Sequence, residues 1–211
     1  MSERAWRASH ANGAGPGAPA RERAGGAGGA KPPGLKKVRI GISSCLLGDE
    51  VRFDGGHKRD AILIEAFAPQ VEWVRVCPEV EVGMGVPREP VQLVKIDDDI
   101  RMIAVHTGID HTDDMREWAA RRVTALAQMD LRGYVLKKDS PSCGMEGVKV
   151  SGEADEPSRT GVGLFAAVLR DAFPDLPIEE EARLSDPASR AAFLERVFAY
   201  DHQCEMARRH V

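Results

Sequence analysis

Val38-Arg39-Ile40-Gly41-Ile42-Ser43-Ser44-Cys45 reads as a β-strand that hands over to a loop at a cysteine. The pattern recurs at Val71-Glu72-Trp73-Val74-Arg75-Val76 before Cys77, and at Gly133-Tyr134-Val135-Leu136 ahead of Cys143. In open α/β sheets, ligands and chemistry collect in the crevice outside the carboxyl ends of the strands, so three thiols placed this way could converge on one point. Such a geometry suits a metal centre with three protein ligands and one open position. Closed structural sites usually draw on Cys-x-x-Cys pairs, and the sequence contains none.

Between and beyond these runs the periodicity alternates. A short helix is expected over 60–68, closed by Pro69. Residues 92–96 and 100–105 read as an antiparallel pair joined at Asp97-Asp98-Asp99, placed to act as a flap over the site. Met115, Trp118, Ala119, Val123, Leu126 and Ala127 have helical spacing over 110–129 behind a cap at Thr112 or Asp113. A second amphipathic helix is expected over 160–173, and a last strand over 178–181. Asp186-Pro187 opens a further helix running to about residue 209. Together these elements predict an α/β fold, a Rossmann-like three-layer sandwich with a mostly parallel sheet. Residues 1–36, rich in Gly, Ala and Pro, show no apolar periodicity and are expected to form a disordered leader. The folded domain is expected over 37–182, followed by a C-terminal helical extension over 183–211.

Composition narrows the function classes. The chain has 211 residues, 43% hydrophobic and 29% charged, which suits one soluble globular domain with an adequate core. No apolar stretch approaches the ~18 residues of a membrane span. A formal net charge of -4 argues against a nucleic-acid backbone as main partner. The amino terminus lacks the apolar core of a secretory signal, and few, widely spaced cysteines point to a reducing cytoplasm.

Three loops hold most of the chemistry. In the first, Arg52-Phe53-Asp54-Gly55-Gly56-His57-Lys58-Arg59 follows Ser43-Ser44-Cys45-Leu46-Leu47-Gly48. Asp-Gly-Gly allows close backbone approach, and the basic residues beside it make either an anion or heterocycle pocket or a tight turn with solvated charges. In the second, Cys77-Pro78-Glu79 puts a carboxylate close behind a thiol, either to move protons or to tie the loop to a cation such as Arg88. In the third, Asp139-Ser140-Pro141-Ser142-Cys143-Gly144 offers two hydroxyls as donors or as ordinary turn caps.

Ser-Cys-Leu-Leu-Gly, Arg-Phe-Asp-Gly-Gly-His-Lys, Val-Cys-Pro-Glu-Val and Lys-Asp-Ser-Pro-Ser-Cys-Gly, in this order, resemble the bacterial 2-thiouracil desulfidase family over about residues 38–181. The tail from Arg183 to Tyr200 looks like the junction to a helical domain in longer members, so a single-domain form with a short extension is expected. The resemblance implies a [4Fe-4S] cluster held by Cys45, Cys77 and Cys143, with one iron open to substrate sulfur. It implies a small thiolated heterocycle as substrate, hydrogen sulfide and a carbonyl compound as products, and no external redox agent. On this reading Glu79 is general base or proton shuttle and Ser140 orients substrate or bound sulfur; Asp54, His57, Ser44 and Ser142 are pocket contacts. Two other readings use the same thiols: a zinc hydrolase, with or without His57 as a ligand, and a non-enzymatic iron-sulfur sensor.

Overall fold

The computed structural model describes residues 37–152 and 157–209, so the expected leader over 1–36 lies outside the described residues. Among the described residues the elements run β1 Val38–Ser43, α1 Ala61–Phe67, β2 Val71–Val76, α2 Pro78–Glu81, β3 Val91–Ile96, β4 Asp99–Ala104, α3 Thr112–Ala127, β5 Leu131–Leu136, β6 Val148–Ser151, β7 Ser158–Gly161, α4 Leu164–Ala172, β8 Ile178–Glu180 and α5 Pro187–Arg209. The β-branched runs that open the three cysteine segments form one sheet in the order β2-β1-β5-β8, parallel at every pairing. From β1 the chain crosses to β2 on one side and later returns to β5 on the other. The strand order therefore reverses between β1 and β5, where a crevice opens at the carboxyl ends.

All six residues of β5 are buried, as expected for a parallel strand covered on both faces, including Arg132, whose charge is met by Asp130 and Asp201. Val135 joins Val38, Ile40 and Ile42 of β1, Leu63 and Phe67 of α1, and Phe193 and Val197 of α5 in one core. Tyr134 and Leu136 point the other way, into a second core with Met115 and Trp118 of α3 and Phe165 of α4. Helices thus cover both faces of the sheet, giving the three layers. Gly41 is required by a close approach: a Cβ there would stand 2.2 Å from Cδ2 of the Tyr134 ring, which lies across β1.

A second four-stranded sheet, mixed and in the order β4-β3-β6-β7, packs into the second core through Leu93, Met102, Val148 and Val150. The expected antiparallel pair is its β3–β4 hairpin, but β3 also pairs in parallel with β6, which fixes the hairpin as a wall. The sequence reading missed β6 and β7 and began α4 too early. Ser158 and Gly161 pair with Val150 and Val148, so their backbone bonds serve a sheet and the helix starts only after Gly163. The cap expected at α3 is also different. Thr112 Oγ1 accepts a bond from Met102 N at 2.8 Å, tying the helix to β4, while Asp110 Oδ1 accepts from Thr112 N at 2.9 Å. Asp60 caps α1 by accepting from Leu63 N at 2.9 Å, and Asp186 with Pro187 opens α5 as expected. Among the described residues no helix is long and apolar enough to cross a membrane.

Candidate active site

At the carboxyl ends of β1, β2 and β5 a cavity of about 360 Å³ is lined by Cys45, Cys77 and Cys143, with Ser44, Glu79 and Ser140 beside them. Each thiol arrives by a different route. Cys45 sits in a single 3-10 turn that follows β1 directly. Cys77 lies between β2 and the proline that starts α2, and Cys143 lies in the turn after β5. None is in a disulfide. Burial, then the neighbouring Cys77, pushes the Cys45 thiol up to about 11. Burial also raises Cys77, and it raises Cys143 well above the ordinary value. Bare thiols in this setting stay protonated at neutral pH, and a bound metal would supply the positive charge that favours thiolates.

The loop that carries Cys143 is held from both sides. Glu180 is buried on β8, where its Oε1 accepts from Met145 N at 2.7 Å. Glu181 accepts from Lys138 N at 2.7 Å and from the Lys137 ammonium. At the near end Ser43 Oγ accepts from Lys137 N at 3.0 Å, joining β1 to the exit of β5. Inside the turn Ser140 Oγ accepts from Ser142 N at 3.2 Å and from Cys143 N at 3.1 Å. Two N–H donors occupy the lone pairs of that hydroxyl, so its hydrogen is left to donate outward. The turn cap and the donor are one group.

Glu79 stands on the first turn of α2 with both oxygens engaged. Oε1 accepts from Ser142 Oγ at 2.8 Å, and Oε2 accepts from Arg88 Nε, at 2.9 Å, and from Nη2. The ion pair with Arg88 is therefore present, and the carboxylate still borders the cavity. Glu81, which the sequence reading passed over, accepts from Cys77 N at 3.1 Å and pairs with Arg122 of α3 at 3.0 Å. Its position four residues beyond a proposed ligand was the available signal.

Of the remaining expected pocket contacts, Ser44 lines the cavity and Ser142 does not; Ser142 is fully buried behind Glu79. Asp54 and His57 are exposed and lie off the cavity. Asp54 Oδ1 accepts from Gly56 N at 3.0 Å, and that bond holds its carboxyl below the usual range. His57 Nδ1 accepts from Arg59 N at 3.2 Å. Arg52, Phe53 and Lys58 of the same loop line the cavity instead, and Val91 at the start of β3 closes its far wall. Cys204, on α5, is not part of it.

Comparison with known proteins gives three matches. The family model for 2-thiouracil desulfurase matches residues 40–181, which span all three cavity cysteines. The uncharacterised protein YbbK of Bacillus subtilis (strain 168) is 31% identical over 136 residues, covering 62% of this chain and 89% of its own. A solved structure, that of the [4Fe-4S]-dependent thiouracil desulfidase TudS, is similar at 28% identity and a TM-score of 0.56, covering 74% of this chain and 99% of its own.

Proposed function

Because the chain belongs to the 2-thiouracil desulfurase family, we propose that it is an iron-sulfur-dependent desulfidase. On this proposal it replaces the sulfur of a thiolated nucleobase such as 2-thiouracil by oxygen and releases hydrogen sulfide. One observation carries the reading: three soft donors from three strand ends, Cys45, Cys77 and Cys143, line one cavity of a size for a small heterocycle. Thiolates are the usual ligands of iron-sulfur clusters. A [4Fe-4S] cluster on these three thiols would have one iron without a protein ligand, a Lewis acid suited to a soft thiocarbonyl sulfur.

The other roles belong to the chain itself. Glu79 Oε1, with one lone pair uncommitted, takes a proton from the water that adds to the thiocarbonyl carbon. The Ser140 hydroxyl donates toward the bound ligand and orients it. The balance is closed without an oxidant or reductant: the thiocarbonyl and one water give the carbonyl product and hydrogen sulfide. Free cysteines throughout suit a reducing cytoplasm.

Anaerobic reconstitution with iron and sulfide, followed by assay of hydrogen sulfide and carbonyl product over a panel of thiolated bases, tests the proposal. A brown holo-protein that turns over at least one base supports it. Activity in a colourless zinc-loaded protein would favour the hydrolase reading, and a stable cluster without turnover the sensor reading.

A further inference from the structure

We infer that Arg88 is a positioning residue for desulfuration, one that fixes the Glu79 carboxylate at the cavity wall and acts through it. The inference rests on Glu79 being the proton acceptor proposed above. The Arg88 side chain is only 6% exposed and Glu79 15%, so this is a buried ion pair rather than a surface one. Four of its five guanidinium N–H donors are spent on three segments around the cavity. Nε and Nη2 reach Glu79 Oε2, Nη2 also reaches Val51 O at 2.9 Å, and Nη1 reaches Gly85 O at 2.9 Å. The backbone N–H of Arg88 donates to Phe53 O at 2.9 Å.

Two consequences follow from that arrangement. First, the two carboxylate oxygens are no longer equivalent. Oε2 receives two guanidinium N–H donors and has no lone pair to spare, whereas Oε1 receives the single Ser142 hydroxyl. Arg88 thereby selects Oε1 as the atom that can take a proton. Second, Arg88 ties the middle of this stretch of chain to two other segments. Gly83 and Gly85 have φ of +105° and +76°, and a Cβ built on either would meet nothing within 4 Å. Val82 and Met84 anchor the start of the loop against the second core and Glu89 anchors its end on Thr107, and between them the Arg88 bonds fix it to Glu79 and Val51. For stability alone, a buried ion pair is roughly interchangeable with apolar packing, so its presence at a cavity wall points to orientation. A lysine would keep the charge and lose the planar fork.

The test is a cycle of Arg88→Gln, Arg88→Lys, Glu79→Gln and the double variant Arg88→Gln/Glu79→Gln, all reconstituted anaerobically. Iron content, melting temperature, kcat and KM are measured on each preparation. Arg88→Gln is expected to retain the cluster and lose about tenfold or more in kcat per cluster, the scale for a misplaced catalytic group, with KM changed much less. Arg88→Lys should fall between it and wild type. In the Glu79→Gln background, Arg88→Gln should add less than a twofold further loss. Equal losses in both backgrounds, unchanged kcat, or a loss accounted for by missing iron would each overturn the inference. Normal turnover in Glu79→Gln alone would remove Glu79 from the reaction and the inference with it. If wild type turns over no thiolated base, the desulfidase reading fails, and the contact is read without turnover. The infrared difference between each Arg88 form and its Glu79→Gln partner isolates the Glu79 carboxylate stretch. That band should shift in Arg88→Gln, and an unmoved band would show that Arg88 does not hold the carboxylate.

Discussion

Replacing Gly41 by alanine should strain the parallel sheet where it supports the cavity. The new Cβ would stand 2.2 and 2.3 Å from Cδ2 and Cε2 of Tyr134. That ring cannot swing aside, because Tyr134 is fully buried and packs edge-on against Phe165 with centroids 5.9 Å apart. Removing a glycine from a strand interior would by itself gain roughly 0.5–1 kcal/mol. Overpacking a tight core costs about 1–3 kcal/mol, occasionally more, and two ring carbons in collision place this site at the upper end. The net expectation is a loss of about 2 kcal/mol, or a fall in melting temperature of about 4–8 °C for a domain of this size. Urea titration and calorimetry on the apo-protein measure it without interference from cluster loss. Pairing Gly41→Ala with Tyr134→Leu should recover about 1 kcal/mol of coupling, since the leucine vacates the space the methyl needs. An unchanged or raised melting temperature in Gly41→Ala would mean that the ring does not cross β1 there.

Single replacement of Cys45, Cys77 or Cys143 by alanine should abolish stable iron binding, whereas Cys204→Ala, on α5 and off the cavity, should leave iron per chain unchanged. Ser140→Ala should retain the cluster and lose turnover, because the variant lacks the outward donor as well as the cap on Cys143 N. Glu180→Ala should cost about 1–3 kcal/mol in unfolding free energy by leaving Met145 N without its acceptor, the usual penalty for an unpaired buried donor. Bonds from Arg116 and Arg208 hold the Asp99 and Asp130 carboxyls below their ordinary value. Their stabilisation is therefore present above about pH 4 and lost as pH falls through the folded-state values. Arg116→Gln should flatten that acid limb in a melting-temperature series.

The strands that carry the chemistry were legible because β1, β2 and β5 are dense in β-branched and apolar residues and each runs toward a cysteine. Their order was not. Which strand lies beside which is decided by crossovers, and no local pattern states that β5 returns to the far side of β1. The helix expected over 160–173 took in the end of β7 because Ser158-Arg159-Thr160-Gly161 has no large apolar residue to announce a strand. At the site, the thiols, Glu79 and Ser140 could be read from their motifs. Their partners could not, since Met145 meets Glu180 across 35 residues and Lys137 meets Ser43 across 94. Asp54 and His57 were expected in the pocket for their chemistry, but backbone N–H groups of their own turn claim both side chains. Arg88 was visible only as a nearby cation. Its fork onto Glu79, Val51 and Gly85 depends on how three segments fold back on one another.

The carboxylates of Glu180, on β8, and of Glu181, just past it, grip both flanks of the Cys143 loop; β8 is an edge strand and the last of the sheet to be made. During translation the three cysteines leave the ribosome well before that strand does. A nascent chain can thus expose its three cavity thiols while the loop that presents one of them is still unfastened. On the proposed function, delivery of iron and sulfide to a finished pocket would wait for the edge strand to dock, and cofactor insertion would be a late step in maturation.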